Sequence, residues 1–236
     1  MTASGTSPER FRVGMRLTDQ LAAGEGDFTT FELVGKEWDL VPGAYPPRPG
    51  TGTEWYTRTL PYPQGGRFLE IGCGAGVTAV WAALHGCSEV VATDITESAV
   101  RSTERNTARH GVRERVRVVR SDVFDALDPA ERFDTVFWNC SVFEAPEDFE
   151  YTRDVEWAIF DRGYQALGRY LATARDRLVP GGRALVTFNT LGDIGRLHEL
   201  AAGAGVSLRR LAASPPRRLA DNDVTFMILE ILPEPS

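Results

Sequence analysis

Apolar and polar positions along this chain follow two alternating periods. Short apolar runs bounded by turn residues recur at Arg67–Ile71, Glu89–Thr93, Val116–Arg120, Thr135–Trp138 and Ala184–Phe188, and each reads as a buried strand. Helical patterns separate them. Val77–His85 reads as one helix, and Thr96 caps another whose inner stripe includes Ala99, Val100 and Thr103. Tyr164, Leu167, Leu171, Ala174 and Leu178 recur at helical spacing before Pro180-Gly181-Gly182 turns the chain. Leu197–Ala204 is a further helix, and Ser207–Ala212 and Val224–Leu232 are closing strands. This alternation predicts an α/β fold: a mostly parallel sheet with helices on both faces.

The first quarter of the chain has a different pattern. Pro8–Ala23 shows partial helical spacing, Phe11 with Met15 and Leu17 with Leu21, stopped by Gly24-Glu25-Gly26. Phe28–Val34 and Glu37–Leu40 flank Gly35 as a small hairpin. A proline-rich loop then runs from Val41 to Thr53, of a kind that links or covers something. Glu54–Leu60 reads as a short helix, and Cys140–Tyr151 as irregular and acidic. Residues 1–53 are thus expected to form an N-terminal helix, hairpin and loop, with residues 54–236 as the main domain.

Composition narrows the class. The chain has 236 residues, 42% of them hydrophobic, enough for the core of one domain. No apolar run approaches the roughly 18 residues of a membrane span, and Met1–Arg16 holds no signal core, so a cytoplasmic chain with no membrane contact is expected. Cys73, Cys87 and Cys140 form no C-x-x-C pair, and His85, His110 and His198 lack close partners; neither a disulfide framework nor a metal site is expected. The net charge of −7 argues against a nucleic-acid partner, since phosphate-neutralising proteins are usually basic. Lys36 is the only lysine among 26 basic residues, which points to a GC-rich bacterial genome.

The chemistry gathers at Glu70-Ile71-Gly72-Cys73-Gly74-Ala75-Gly76, between the Arg67–Ile71 strand and the Val77–His85 helix. Its glycines let the backbone turn sharply and let a ligand approach closer than any Cβ permits. The dinucleotide fingerprint is G-x-G-x-x-G, whereas this loop reads E-x-G-x-G-x-G, so a nicotinamide enzyme fits poorly. A bare strand-to-helix turn is the alternative. The loop resembles the first motif of class I S-adenosylmethionine-dependent methyltransferases. That resemblance implies a Rossmann-like, doubly wound, mostly parallel seven-stranded sheet with a short N-terminal extension, and S-adenosylmethionine as cofactor. It also implies that Glu70, Gly72, Cys73, Gly74 and Gly76 hold the amino-acid end of the cofactor.

Ligands in such sheets sit beyond the carboxyl ends of central strands. Asp94, with Ile95 beside it, follows Gly72 by 22 residues (94 − 72), near the roughly 20 expected of a ribose-binding carboxylate; capping the next helix is its alternative. Ser121-Asp122-Val123 resembles the segment that meets the adenine edge, and a solvent-facing loop is the alternative. Phe137-Trp138-Asn139-Cys140-Ser141-Val142-Phe143 lies where one branch of these enzymes has Asn-Pro-Pro-Tyr. There the asparagine side chain and the next carbonyl accept hydrogen bonds from a planar nitrogen being methylated. Upstream, Pro47-Arg48-Pro49 followed by Thr53-Glu54 resembles the P-R-P-x-T-E segment of release-factor glutamine methyltransferases.

This sequence departs from that pattern. Cys140 and Ser141 replace both prolines, Val142 stands at the tyrosine position, and two extra residues precede Thr53-Glu54. About 40 residues precede the upstream motif, fewer than a typical docking domain, so glutamine specificity does not follow. Asn139 and Glu144 are the candidate catalytic residues, Asn139 also facing the cofactor. Tyr45, Arg48, Phe143 and Trp157, together with Trp38, are candidate acceptor walls. The expected acceptor is a nitrogen on a small molecule or peptide, in bacterial specialised metabolism. A protein glutamine methyltransferase is one alternative, and a non-catalytic S-adenosylmethionine-binding regulatory module is another. The oligomeric state is left open.

Overall fold

A computed structural model describes residues 6–22, 29–48, 51–219 and 222–234. In chain order, α1 (Pro8–Ala22) and the hairpin β1 (Thr30–Leu33) and β2 (Lys36–Asp39) precede α2 (Gly52–Thr59). Then come β3 (Arg67–Ile71), α3 (Val77–Leu84), β4 (Glu89–Asp94), α4 (Glu97–Arg109), β5 (Val116–Arg120) and β6 (Phe133–Asn139). A short β7 (Phe143–Ala145), α5 (Asp154–Ile159) and β8 (Phe160–Arg162) lead to α6 (Gln165–Thr173) and a 3-10 turn, Ala174–Arg177. The chain closes with β9 (Leu178–Asn189), α7 (Ile194–Gly203), β10 (Val206–Ala213), β11 (Arg217–Leu219), β12 (Asn222–Val224) and β13 (Phe226–Pro233).

The seven-stranded sheet has the order β10-β13-β9-β6-β3-β4-β5. Strands β5, β4, β3, β6 and β9 are parallel, while β13 runs antiparallel to both β9 and β10. From β3 the chain winds to one side through β4 and β5, then returns to the other side of β3 as β6. The carboxyl ends of β3, β4 and β6 therefore open onto one crevice where the winding reverses, the favoured ligand position in such sheets.

Alternation along the strands assigns the two cores. Leu69, Val91, Val136 and Val186 face α6 and α7, packing with Leu167, Leu171 and Leu197. Phe68, Val90, Ala92 and Phe137 face the opposite way, with Val80, Ala83 and Trp38. Truncating fully buried Phe68 to Ala should cost about 3–5 kcal/mol. A third cluster gathers Leu21, Phe143, Val155, Ile159 and Phe160, so α1 roofs the β7–α5–β8 segment. Gly14 marks the contact: a Cβ there would lie 2.5 Å from Phe160 Cε1.

Several boundaries differ from expectation for identifiable reasons. Tyr164 lies outside α6 as its N-cap, at φ 51°, and Leu178 opens β9. Pro180-Gly181-Gly182 lies within β9, where the pairing with β6 shifts register. Helix α5 escapes periodicity because six residues hold no repeat; Glu156 holds its start by accepting from the Thr152 and Arg153 amides at 2.6 and 3.1 Å. The Gly24–Gly26 stop, Ala23, Phe28 and Pro49-Gly50 lie outside the described residues.

Candidate active site

Each glycine of the loop after β3 does a different job. A Cβ on Gly72, at φ 64°, would lie 2.8 Å from Trp138 Nε1, and one on Gly76 would lie 2.7 Å from Thr103 Cγ2. Both keep the loop close to its neighbours. A Cβ on Gly74 would meet nothing within 4 Å, so the loop stays open there. The loop is held from behind by α4. Thr103 Oγ1 donates to the Gly74 carbonyl at 3.0 Å, and Asn106 Nδ2 donates to the Ala75 carbonyl at 2.8 Å. Asn106 also accepts from the Asp39 amide and donates to the Asp39 carbonyl, stitching the hairpin to the same helix.

Glu70 ends β3 almost fully buried, and its Oε2 has no hydrogen-bond partner. Burial pushes the carboxyl well above its ordinary range; bonds from the Ala79 amide and the Thr78 hydroxyl oppose the shift, and nearby Asp94 adds to it. Asp94 Oδ2 accepts from the Gly74 amide at 3.0 Å, and its Oδ1 accepts from the Thr96 amide and hydroxyl, each at 3.0 Å. Burial raises this carboxyl as well, against those donors and the Ile95 amide. Burial likewise raises the Cys73 thiol, whose Sγ lies 3.2 Å from Thr103 Oγ1, so it is no thiolate nucleophile.

Glu70, Gly72, Cys73, Gly74, Asp94, Ile95, Asp122, Val123 and Asn139 all line one cavity of about 770 Å³, within the usual range for ligand sites. Gly76 supports the loop from outside it. Asp122 is half-exposed and pairs with Arg169 at 2.5 Å, while Val123 takes a left-handed φ of 49°. Asn139 is exposed to the cavity, and its Oδ1 accepts from Thr187 Oγ1 at 2.5 Å. Tyr45, Arg48, Phe143 and Trp157 line the outer half, where α1 contributes Val13, Arg16 and Leu17.

Two candidates lie elsewhere. Glu144 does not line the cavity; alternation along β7 turns Phe143 inward and Glu144 outward, toward Arg196 at 4.0 Å. Trp38 is completely buried, with its Nε1 donating to the Leu33 carbonyl, and belongs to the core. The sequence assigned no role at the site to Asn106, Thr103, Ser141 or the α1 residues. Their partners are backbone groups or walls distant in sequence, which leave no periodic signal. Among the described residues, no three His, Cys, Asp or Glu side chains cluster to hold a metal, and no helix is long and apolar enough to cross a membrane.

Residues 47–199, from the Pro47-Arg48 motif through the Asn139 strand end to α7, match the family described as "Methyltransferase small domain". The chain belongs to that family. This methyltransferase is 35% identical over 164 residues to a release factor glutamine methyltransferase of Bordetella pertussis, covering 64% of this chain and 58% of that protein. It is 29% identical over 184 residues to a ribosomal RNA small subunit methyltransferase C of Chromohalobacter salexigens, covering 76% and 50%. The chain thus spans little more than half the length of these relatives. A 16S rRNA methyltransferase of T. Thermophilus, solved with AdoMet and guanosine, shares the fold with a TM-score of 0.58 at 19% identity, covering 87% of this chain and 50% of that one. The family is S-adenosylmethionine-dependent, and S-adenosylmethionine is the cofactor. The site fits it: Glu70 offers an unpartnered buried carboxyl oxygen, and Gly74 leaves open space beside it.

The relatives overturn two expectations about partners. They are named for ribosomal RNA, a release factor and a ribosomal protein, so neither the exclusion of nucleic acid nor the small-molecule acceptor stands. The charge argument failed because net charge averages over the whole chain. At the cavity itself, Arg16 and Arg48 are exposed and make no ion pair among the described residues.

Proposed function

We propose that this domain transfers the methyl group of S-adenosylmethionine to a planar nitrogen of a partner macromolecule, the side-chain amide of a protein glutamine. The observation that carries this reading is Asn139. Its side chain ends β6 inside the cavity that the glycine loop opens onto, with the amide fixed by Thr187. The Pro47-Arg48 motif and the 35% identity to a release factor glutamine methyltransferase support glutamine over other planar nitrogens.

When bound, S-adenosylmethionine supplies a methyl carbon activated by a sulfonium. The residues of this chain bind and align. Glu70 takes the cofactor's ammonium, the Gly72–Gly76 backbone its carboxylate, Asp94 the ribose, and Asp122 with the Val123 amide the adenine edge. Asn139 Oδ1 keeps a second lone pair beside the Thr187 bond, and the Cys140 carbonyl follows it. Two acceptors on one NH2 group orient it and raise the electron density on its nitrogen; as the C–N bond forms, the C–S bond pair would stay with sulfur as a neutral thioether and one N–H proton would pass to water. Alignment of this kind can supply several kcal/mol of the barrier. Glu144 has no part in this scheme. The buried free cysteines suit a reducing compartment, in keeping with the cytoplasm.

The test is transfer of labelled methyl from S-adenosylmethionine to a peptide carrying one glutamine, and separately to total ribosomal RNA. Label in the peptide, lost in Asn139→Ala while cofactor affinity holds, is the expected result. Label in the RNA alone would replace it with the second reading, a base-amine acceptor, which Arg16 and Arg48 favour. No transfer to either, with cofactor still bound, would favour a regulatory module.

A further inference from the structure

The loop after Asn139 lacks the two prolines and the tyrosine of the motif it resembles, yet it is not loosely held. Cys140 Sγ donates to the Thr187 carbonyl at 3.3 Å, and Ser141 Oγ donates to the Trp157 carbonyl at 2.7 Å. The first bond anchors the loop to β9. The second anchors it to α5. Side-chain bonds thus provide the restraint that proline rings would supply.

The α5 anchor leads to a built surface. Trp157 is half-buried, lines the cavity, and stacks on Tyr151 with ring centroids 3.6 Å apart and planes 9° apart. Tyr151 is itself fixed. Its hydroxyl donates to the Phe160 carbonyl at 3.2 Å and accepts from the Arg162 amide at 3.3 Å, while the Arg162 guanidinium lies 5.4 Å from its ring centre. β8 carries both partners and pairs with β7, the strand that follows the Asn139 loop. Trp157 is therefore a flat, rigidly backed wall tied by one hydrogen bond to the segment that presents Asn139. Val142, at the position of the missing tyrosine, has no ring to stack.

We propose that Trp157 is the surface against which the planar acceptor group lies, and that Ser141 positions it relative to Asn139. This rests on the planar-nitrogen reading above. The aromatic that the related motif carries next to its asparagine is here supplied by a separate helix. A delocalised amide or base face gains from such a ring, while the cofactor half of the cavity does not depend on it.

The experiment compares wild type with W157A, W157F, W157L, S141A and S141T. The acceptor probes are the glutamine peptide and ribosomal RNA; calorimetry gives the S-adenosylmethionine affinity, and melting temperature checks the fold. The expected result for W157L is an acceptor KM about tenfold above wild type, with cofactor affinity and melting temperature retained. W157F should recover most of the loss, which a merely packed residue of leucine size would not need. S141A should raise KM less, and S141T should restore it. If W157A fails to fold, the W157L–W157F contrast still decides. Equal KM for W157L and W157F would overturn the wall while leaving methyl transfer intact. Absence of transfer to both probes by wild type would instead remove the planar-nitrogen reading, and this inference with it.

Discussion

Asp94→Ala tests the ribose assignment most directly, because the structure limits what it can cost. An ionised carboxylate has about four lone-pair sites. Three are taken, by the Gly74 amide, the Thr96 amide and the Thr96 hydroxyl. The Ile95 amide also bears on the carboxylate, so Asp94 has room for at most one ribose hydroxyl. A hydrogen bond to a charged group contributes about 1.5–3 kcal/mol. At 1.4 kcal/mol per tenfold, losing it should raise the Kd for S-adenosylmethionine roughly 10- to 150-fold. Asp94→Asn should be no gentler: both oxygens already accept, so either orientation of the new NH2 faces a donor. Calorimetry on both variants measures this, with circular dichroism melts as the fold control. A Kd within threefold of wild type in a folded Asp94→Ala protein would refute the assignment. A mild Asp94→Asn beside a severe Asp94→Ala would refute the count of occupied sites.

Other residues give equally definite expectations. The raised Glu70 pKa means that the folded protein holds a proton which the unfolded chain releases, so stability without cofactor should fall as pH rises from about 4.5 toward the native value. Glu70→Gln should remove that slope and stabilise the free protein at pH 8 while weakening cofactor binding; a lower melting temperature there would contradict this. Binding of the cofactor ammonium should ionise Glu70 and release a proton, seen as buffer-dependent calorimetric enthalpies in wild type but not in Glu70→Gln. Asn106→Ala removes three hydrogen bonds and should cost about 3 kcal/mol. That corresponds to a melting temperature lower by roughly 6–12 °C, and a change under 2 °C would mean that the stitch carries little. Gly14→Ala forces a Cβ to 2.5 Å from Phe160 and should cost about 1–3 kcal/mol, with acceptor turnover hit harder than cofactor affinity. Equal loss of both would mean that α1 does not belong to the acceptor half.

The central sheet was legible because β3, β4, β6 and the second half of β9 are largely buried and read as apolar runs, with edge strand β5 a shorter run between exposed arginines, and the glycine loop because backbone geometry there requires glycine. Strand ends picked out the glycine loop, Asp94, Asp122 and Asn139, while the methyltransferase resemblance supplied Glu70 and the role expected of Asn139. What escaped depended on contacts rather than on period. Glu144 had the right composition and the wrong parity along a three-residue strand. α5 was too short to show a stripe. Thr103 was expected on the inner stripe of α4, but nothing in the sequence singled out Asn106, whose partners Asp39 and Ala75 are brought to it only by the fold. The tyrosine missing at Val142 was visible in the sequence. Trp157 was named there as a candidate wall, but its tie to the Asn139 loop through a single Ser141 bond, and its backing by Tyr151, left no signal in the sequence.

The polar seam of α4 has a consequence for local opening. Strands β1 and β2 form a sheet of their own, separate from the seven-stranded one. Asn106 bonds this hairpin at Asp39, Ser102 bonds it at the Val41 amide, and Thr103 and Asn106 hold the glycine loop from the same helix. Fluctuations that free the hairpin must therefore loosen α4, and whatever quiets the loop must quiet the hairpin. Amide hydrogen exchange should report this as slower exchange at Asp39 and Val41 when S-adenosylmethionine is added, although neither residue is among those assigned to the cofactor. A ligand on the glycine loop would then be legible, as kinetic protection, in a small ribbon held by the same face of α4.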